Sequence, residues 1–510
     1  MTTRTTTSPQ PTSNRSMASR LPMRATIVAT AACALLTASP PPSQAQTGPV
    51  LNEVAKLLAD DGAAGDYYYF GQSVSLSGDT IVIGAQGDDD NGDASGSVYV
   101  FVRDRTGVWT TQEKLTTSDG VEYDQFGASV AISGNMLVAG APYDSDNGHN
   151  SGSVYVFERN SDGDWTQQAK LLAGDGTAED EFGFSVAISG DTAIVGASYD
   201  DDNGPGSGSA YVFTRDANGG WMQQDKLLAD DGAAIDRFGT SVFISGDSAL
   251  VGAFRGDGNI VDSGSVYVFV RDAVGDWTQQ AKLAASDGNL HDSFGNAVAL
   301  SGDTAIVGAT AGDSDVINTG SAYVFVRDPH GDWTQQAKLL AADGVGGYKF
   351  GISVEICDDT VVVGSVPTPN IVQTGDDLAL RDTLGFEEVS GGVSGPGAAY
   401  VFMRDSDGVW TQRIKLLASD GANGDDFGIS VGLAGDTIVA GASTATDNGY
   451  LSGAAYVFNL RPADLNANGV VDGDDLSALL SQWETDGTAD LNSDGVVDGV
   501  DLATLLTNWG

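Results

Sequence analysis

The chain has 510 residues, 70 of them Asp or Glu against 24 Lys or Arg, for a formal net charge of −46 and a pI near 4.1. A field of that sign repels nucleic acid and anionic lipid and excludes a phosphate-backbone partner. The acidity does not amount to disorder, because 41% of the residues are hydrophobic and recur in strand-like runs.

Residues 1–45 read as a signal peptide. A polar segment ends in Arg20 and Arg24, the apolar run Ala25 to Ala38 follows, and Ser43 and Ala45 offer small residues for cleavage. At 14 residues the run is too short to span a bilayer. Translation from Met17 or Met23 would shorten the leader, and a lipid attached at Cys33 is disfavoured by Thr30, where such signals carry Leu. Cleavage after Ala45 leaves Cys357 as the single cysteine, so no intramolecular disulfide is expected and the thiol reads as core. His149, His291 and His330 fall in no catalytic pattern.

Residues 46–461 are a repeat array. A Phe-Gly pair recurs at Phe70, Phe126, Phe182, Phe238, Phe294, Phe350 and Phe427, with a period of 56 broken by a last step of 77. The unit at Phe182 contains four runs, FGFSVAIS, TAIVGA, GSAYVFTR and WMQQDKLL. Their β-branched and aromatic residues, separated by Gly, Asp and Asn, predict four strands (A to D) and therefore a propeller blade. The fourth-run Trp appears only at Trp109, Trp165, Trp221, Trp277, Trp333 and Trp410, whereas VAKLLA at Val54 to Ala59 precedes the first Phe-Gly pair. The N-terminal run is thus expected to complete the seventh blade and close a ring of twenty-eight strands.

Antiparallel pairing puts the short A–B and C–D turns on one rim and the longer B–C and D–A loops on the other, where binding is expected. That second rim is acidic. Its D–A loops carry an Asp-Gly pair at Asp61, Asp119, Asp175, Asp231, Asp287, Asp343 and Asp420, and its B–C loops include GDDDNG from Gly87, DSDNG from Asp144 and DDDNG from Asp200. These acids read as solvated turns, with a shared hard cation as the alternative. In the sixth unit the B–C loop, Val366 to Pro396, holds 21 extra residues and is expected either to form a lid or docking element or to lack order.

The Phe-Gly pairs, the Gly-Ala or Gly140-Ala141-Pro142 ends of the second runs and the seven-fold count resemble the FG-GAP repeats of integrin α-subunit propellers. The resemblance implies an extracellular ligand-binding propeller. In the integrin-like version calcium sits in an Asp-rich loop between the first two strands. Here that loop is cut to SGD, so blade calcium is not carried over.

The pattern changes at residues 462–510. Two copies, DLNANGVVDGDD and DLNSDGVVDGVD, begin 26 residues apart and have the ligand spacing of a twelve-residue EF-hand-type calcium loop, with Gly at position 6. The expected ligands of two calcium ions are Asp464, Asn466, Asn468, Val470, Asp472 and Asp475 in the first, and Asp490, Asn492, Asp494, Val496, Asp498 and Asp501 in the second. Each loop runs into a short amphipathic helix, with Leu476, Leu479, Leu480 and Trp483 in one and Leu502, Leu505, Leu506 and Trp509 in the other expected to share one packed face. The duplicated loop-helix segments resemble a type I dockerin, which implies docking onto a cohesin-like partner. Loop positions 10 and 11, Gly473-Asp474 and Gly499-Val500, depart from that family's hydroxyl pair.

The fold expected is therefore all-β, a seven-bladed β-propeller of four-stranded blades followed by a small α-helical calcium-binding domain. The function expected is a secreted or cell-surface adhesion or binding protein: the propeller presents a face to a protein or glycan ligand, and the tail attaches to a cohesin-like or envelope scaffold. A structural matrix component is the alternative. A polysaccharide-acting hydrolase is less favoured, since no catalytic triad, histidine metal motif or nucleotide loop is present and the chain reads as non-enzymatic.

Overall fold

Turns rich in Gly and Asp cut each repeat into strands that pair with their sequence neighbours, the ring closure excepted. In the third blade, strands A (Ser185–Ser189), B (Thr192–Ala197), C (Ser209–Arg215) and D (Trp221–Leu227) form one antiparallel sheet in that order. The A–B connection is the SGD turn, with Gly190 at φ +57°. Strand B is buried throughout, as is Ser209 to Phe213 of strand C, while strand D turns Met222, Gln223 and Gln224 to solvent. Each A strand packs beside the A strands of its neighbours, so the A strands ring a central axis and the D strands lie outermost.

The computed structural model describes residues 51–61, 69–312, 319–344, 346–367, 394–460, 471, 473–483, 489 and 496–507. The chain divides into a unit at Met1–Ala45 and one at Gln46–Gly510. The expected signal peptide, most of the sixth-blade insertion and most of the two calcium loops lie outside the described residues.

Seven four-stranded sheets are present, and the seventh has the order expected of a closed ring. Its outer strand is the N-terminal Glu53–Leu57, antiparallel to Ala454–Asn459 with Lys56 opposite Tyr456 and Leu57 opposite Ala455. Leu57 and Ala59 are buried there, which supplies the apolar burial that fixes the strand.

The seams between blades explain the repeat signature. The Phe182 amide donates to Ser151 O of the preceding blade, and its ring packs edge-on against Tyr211 and Phe213 at centroid distances of 5.4 and 5.8 Å. Gly183, at φ +92°, brings its carbonyl onto Gly140 of the preceding blade so closely that no Cβ fits at Gly140. Ser129 Oγ donates to that carbonyl at 2.7 Å. The Phe-Gly pair of one blade and the Gly-Ala pair of its predecessor thus meet at each seam, including Gly71 on Gly441 across the ring closure. The first run is also less regular than its sequence implies. Register shifts between Phe238 and Ser241, and between Phe294 and Ala297, bulge the strand where it enters the seam.

In the tail, helices Gly473–Ser481 and Gly499–Thr507 enclose a small core of Val471, Leu479, Ala489, Val497 and Leu505, with Leu476 and Leu502 packed on it. The expected apolar face is narrower than the sequence implied: Leu480, Leu506 and Trp483 are 51%, 52% and 37% exposed. Leu476 with Leu479, and Leu502 with Leu505, each pair three residues apart, face the core, and Leu480 and Leu506 lie on its flank. Trp509 lies outside the described residues.

Candidate functional site

The B–C and D–A loops bring the repeated acids together with two groups from strands C and D. In the third blade Lys226 Nζ lies 2.8 Å from Asp175, 2.9 Å from Asp200 and 2.7 Å from Asp202. The Tyr211 hydroxyl sits 3.0 Å from Asp175 Oδ1 and 2.8 Å from Asp200 Oδ2, with the ammonium 4.9 Å from its ring centroid. Lys114 with Asp61, Asp88 and Asp90, and Lys170 with Asp119, Asp144 and Asp146, repeat the arrangement in blades one and two. Blade seven pairs Lys56 with Asp420 and Asp447. In blades four to six Lys282, Lys338 and Lys415 pair with Asp231, Asp287 and Asp343 respectively.

The Asp-Gly acids stay half exposed, as solvated turns would be, but each is also paired with a lysine, whereas Asp88, Asp144 and Asp200 of the B–C loops are buried. Burial alone would push the ammonium groups of Lys114, Lys170 and Lys226 to lower pKa, and their carboxylates raise them instead. Burial pushes the Asp61 carboxyl up, but the Lys114 ammonium and Tyr99 hydroxyl draw it below the ordinary carboxylate range. Asp175, Asp231 and Asp287 follow the same balance. The chain thus supplies its own cation at the place where the sequence offered a shared metal. The signal was present, since a Lys closes the fourth run of each unit, but the pairing depends on the D–A loop reaching over strand D of the next blade.

A second feature lies closer to the axis, where the loops turn into strand A. The residue preceding each Phe-Gly pair is Tyr69, Gln125, Glu181, Arg237, Ser293, Lys349 and Asp426 in turn, seven different side chains on one repeated backbone. All seven differ while the adjoining Phe is invariant, and six of them, Tyr69, Gln125, Glu181, Arg237, Ser293 and Asp426, hold positive φ. Beside this ring stand Tyr143, Tyr199, Arg255 and Thr444 from the ends of the B strands. Burial lifts the Glu181 carboxyl to about 7 and pushes Asp426 up and Lys349 down. A groove of about 410 Å³ opens between Tyr69, Gln86, Asp89, Asp93, Tyr123 and Gln125 on the same rim. Sequence reasoning did not single out this ring, although aligning the seven units places its variability in one column.

Deeper in the A strands, Glu355 occupies the repeat position held elsewhere by Ser75, Ala131, Ala187, Phe243, Ala299 and Gly432. Burial raises its carboxyl to about 8, and it accepts the Ile356 amide at 3.2 Å.

In the tail, Asp475 and Asp501 occupy the last ligand position of each expected loop, and both are wholly buried. Asp501 accepts the Asp498 amide at 2.7 Å, and Asp498 accepts the Val500 amide at 2.7 Å. Val496 is exposed and Asp498 half-buried. Wholly buried carboxylates beside a five-residue apolar core suit the donor set of a hard cation. The expected ligands Asp464, Asn466, Asn468, Val470, Asp472, Asp490, Asn492 and Asp494 lie outside the described residues.

A closed ring of seven four-stranded blades with its longer loops on one rim defines a seven-bladed β-propeller. The chain belongs to the FG-GAP repeat family, which it matches at residues 51–101, 109–157, 165–213, 221–269, 277–325, 333–377 and 410–458. It is 31% identical over 142 residues to integrin alpha-6 of Gallus gallus, a match covering 26% of this chain and 13% of that protein. A crystal structure of a protein from Lactobacillus plantarum is similar to it at 13% identity and a TM-score of 0.46, covering 72% of this chain and 90% of the other. Among the described residues no helix is long and apolar enough to cross a membrane.

Proposed function

We propose that this is a secreted or cell-surface binding protein whose ligand sits on the axial mouth of the propeller, on the rim of B–C and D–A loops. The observation that carries this reading is the ring Tyr69, Gln125, Glu181, Arg237, Ser293, Lys349 and Asp426. A repeat scaffold needs identical residues where blades meet, and specific recognition needs different ones. The integrin likeness supports an adhesion-type role, and the leader at 1–45 supports export. The Asp-Gly carboxylates are engaged by lysines and held below the ordinary range, which removes them as general acids at neutral pH.

The tail is proposed to bind two calcium ions through the twelve ligands identified in its sequence and to dock onto a scaffold or envelope protein. Calcium would neutralise the buried Asp475 and Asp501 and complete a module with little core of its own. A glycan array and a cell-surface protein array, probed with the intact chain with and without calcium, test the reading. Signals that vanish when ring residues are replaced are expected. An absence of signal on both arrays leaves the structural matrix component as the better reading.

A further inference from the structure

Arg237 is the anomaly of the axial ring. It is 8% exposed, and its Nη1 is buried without a hydrogen-bond partner. Among the described residues no carboxylate pairs with it, whereas Arg103, Arg215, Arg271, Arg327 and Arg404 each pair with an Asp or Glu on the opposite rim. Its guanidinium lies 3.5 Å from the centroid of Tyr199, which fixes the plane of the fork. Gly206 approaches Nη1 so closely that a Cβ there would lie 2.6 Å from it. Arg255, at the end of strand B of the same blade, donates its backbone amide to Asp236 O at 3.3 Å and so starts beside Arg237, and its charge depresses the Arg237 pKa further, after burial itself. Two guanidinium groups are thus held near each other in a chain of net charge −46. A buried cation without a carboxylate partner is unfavourable, and a planar anion bound along the Nε–Nη2 edge, which unlike Nη1 is not sealed, relieves it.

We propose that Arg237 and Arg255 form the anchor subsite for a single carboxylate carried on an otherwise uncharged glycan, such as one hexuronate residue in a neutral chain. The proposal rests on the axial-mouth reading above and gives that mouth a ligand chemistry. A carboxylate is the anion whose geometry matches a guanidinium fork with one face already covered. The acidic surroundings disfavour a polyanion, so the remainder of the ligand is uncharged. The mouth offers surface for sugar hydroxyls and ring faces: Tyr199, 36% exposed, stacks on Arg237, and the groove of Tyr69, Gln86, Asp89, Asp93, Tyr123 and Gln125 lies at two other positions of the same ring. Glu181 is the nearest rival for Arg237; it lowers the guanidinium's isolation electrostatically but makes no ion pair with it.

The test is an array of glycans bearing one hexuronate, each spotted beside its carboxyl-reduced neutral form and beside neutral peptides carrying one Glu, followed by calorimetry on the hits with the full chain. Acid glycans are expected to bind at least about tenfold more tightly than their reduced forms. Arg237→Gln should abolish that preference, and Arg255→Gln should reduce it about threefold. Glu181→Gln should leave the preference intact or strengthen it. Arg255 is more exposed than Arg237, so its variant keeps the test valid if Arg237→Gln fails to fold. Equal binding of acid and reduced forms overturns the carboxylate subsite and leaves the axial mouth standing. Tight binding of the single-Glu peptides through Arg237 overturns the glycan assignment. No hit on this array, together with hits on the protein array, overturns the subsite; silence on both overturns the binding reading itself.

Discussion

Lys114 Nζ lies 2.8 Å from Oδ2 of Asp88, a carboxylate with no solvent exposure at all. The ammonium is what makes that burial tolerable. Lys114→Met leaves a buried charge uncompensated and is expected to destabilise the propeller by about 3 kcal/mol. Urea unfolding measures it, and adding Asp88→Asn should recover most of the loss. A change below about 0.5 kcal/mol in the single variant would show the pair to behave as an ordinary surface ion pair.

Two sets of carboxyls give stability opposite slopes with pH. Asp61, Asp175 and Asp231 have folded pKa values below their ordinary 3.8, so their contribution is present above that value and is lost as pH falls through the lower folded one. Glu355 is raised from 4.5 to about 8, so its contribution is present below 4.5 and is lost as pH rises through 8. Thermal melting should therefore peak in the weakly acidic range, with Tm falling toward pH 8 and again below pH 4. Glu355→Gln should make the alkaline limb shallower, the remainder being that of Glu181, raised to about 7, and Asp426. An unchanged alkaline slope in that variant assigns the slope elsewhere.

A seam glycine and a turn glycine separate conformation from space. Gly183 needs φ +92° and would place a Cβ 2.6 Å from Ser153 O, whereas Gly190 holds φ +57° with nothing within 4 Å. Gly190→Ala should lose about 1 kcal/mol, the left-handed penalty alone. Gly183→Ala should lose about 3 kcal/mol or more, because the neighbouring blade must also shift. Equal losses at the two sites would refute the close approach of the Phe-Gly and Gly-Ala pairs.

Calcium, if it binds the tail as proposed, acts locally. Chelation should abolish the far-ultraviolet helical signal of residues 462–510 and leave the propeller melting transition unmoved. Asp475→Ala with Asp501→Ala should remove both ions in calorimetry, since each is the last ligand of its loop. Loss of the propeller transition together with the helical signal would contradict a tail that unfolds independently.

Much of this architecture was legible because a repeat reports itself seven times. The Phe-Gly period fixed the blade count, and the displaced VAKLLA run announced a closure now visible as Lys56 opposite Tyr456. The partners of the rim acids were not legible. Asp175 meets Lys226 across 51 residues, and only the path of the D–A loop over the next blade brings them together. The axial ring escaped for a different reason: attention to what recurs passes over the one position that does not, and Arg237 stands out only once its burial without a partner is known. In the tail, helical spacing identified the apolar leucines but overstated how many a nine-residue pair can cover, as exposed Leu480 and Leu506 show.

Strand Glu53–Leu57 is among the first parts of the propeller to leave the ribosome, and its partner Ala454–Asn459 is made last of all the blades. The six intervening blades can form in order behind it, but the seventh cannot, so an unpaired strand must wait through nearly the whole of synthesis. Its sequence suits that wait: EVAKL is short and carries Glu53 and Lys56, charges that discourage pairing with a stranger. The closing contact therefore also serves as a completeness check, because a chain truncated anywhere before Ala454 has a first strand with nothing to join.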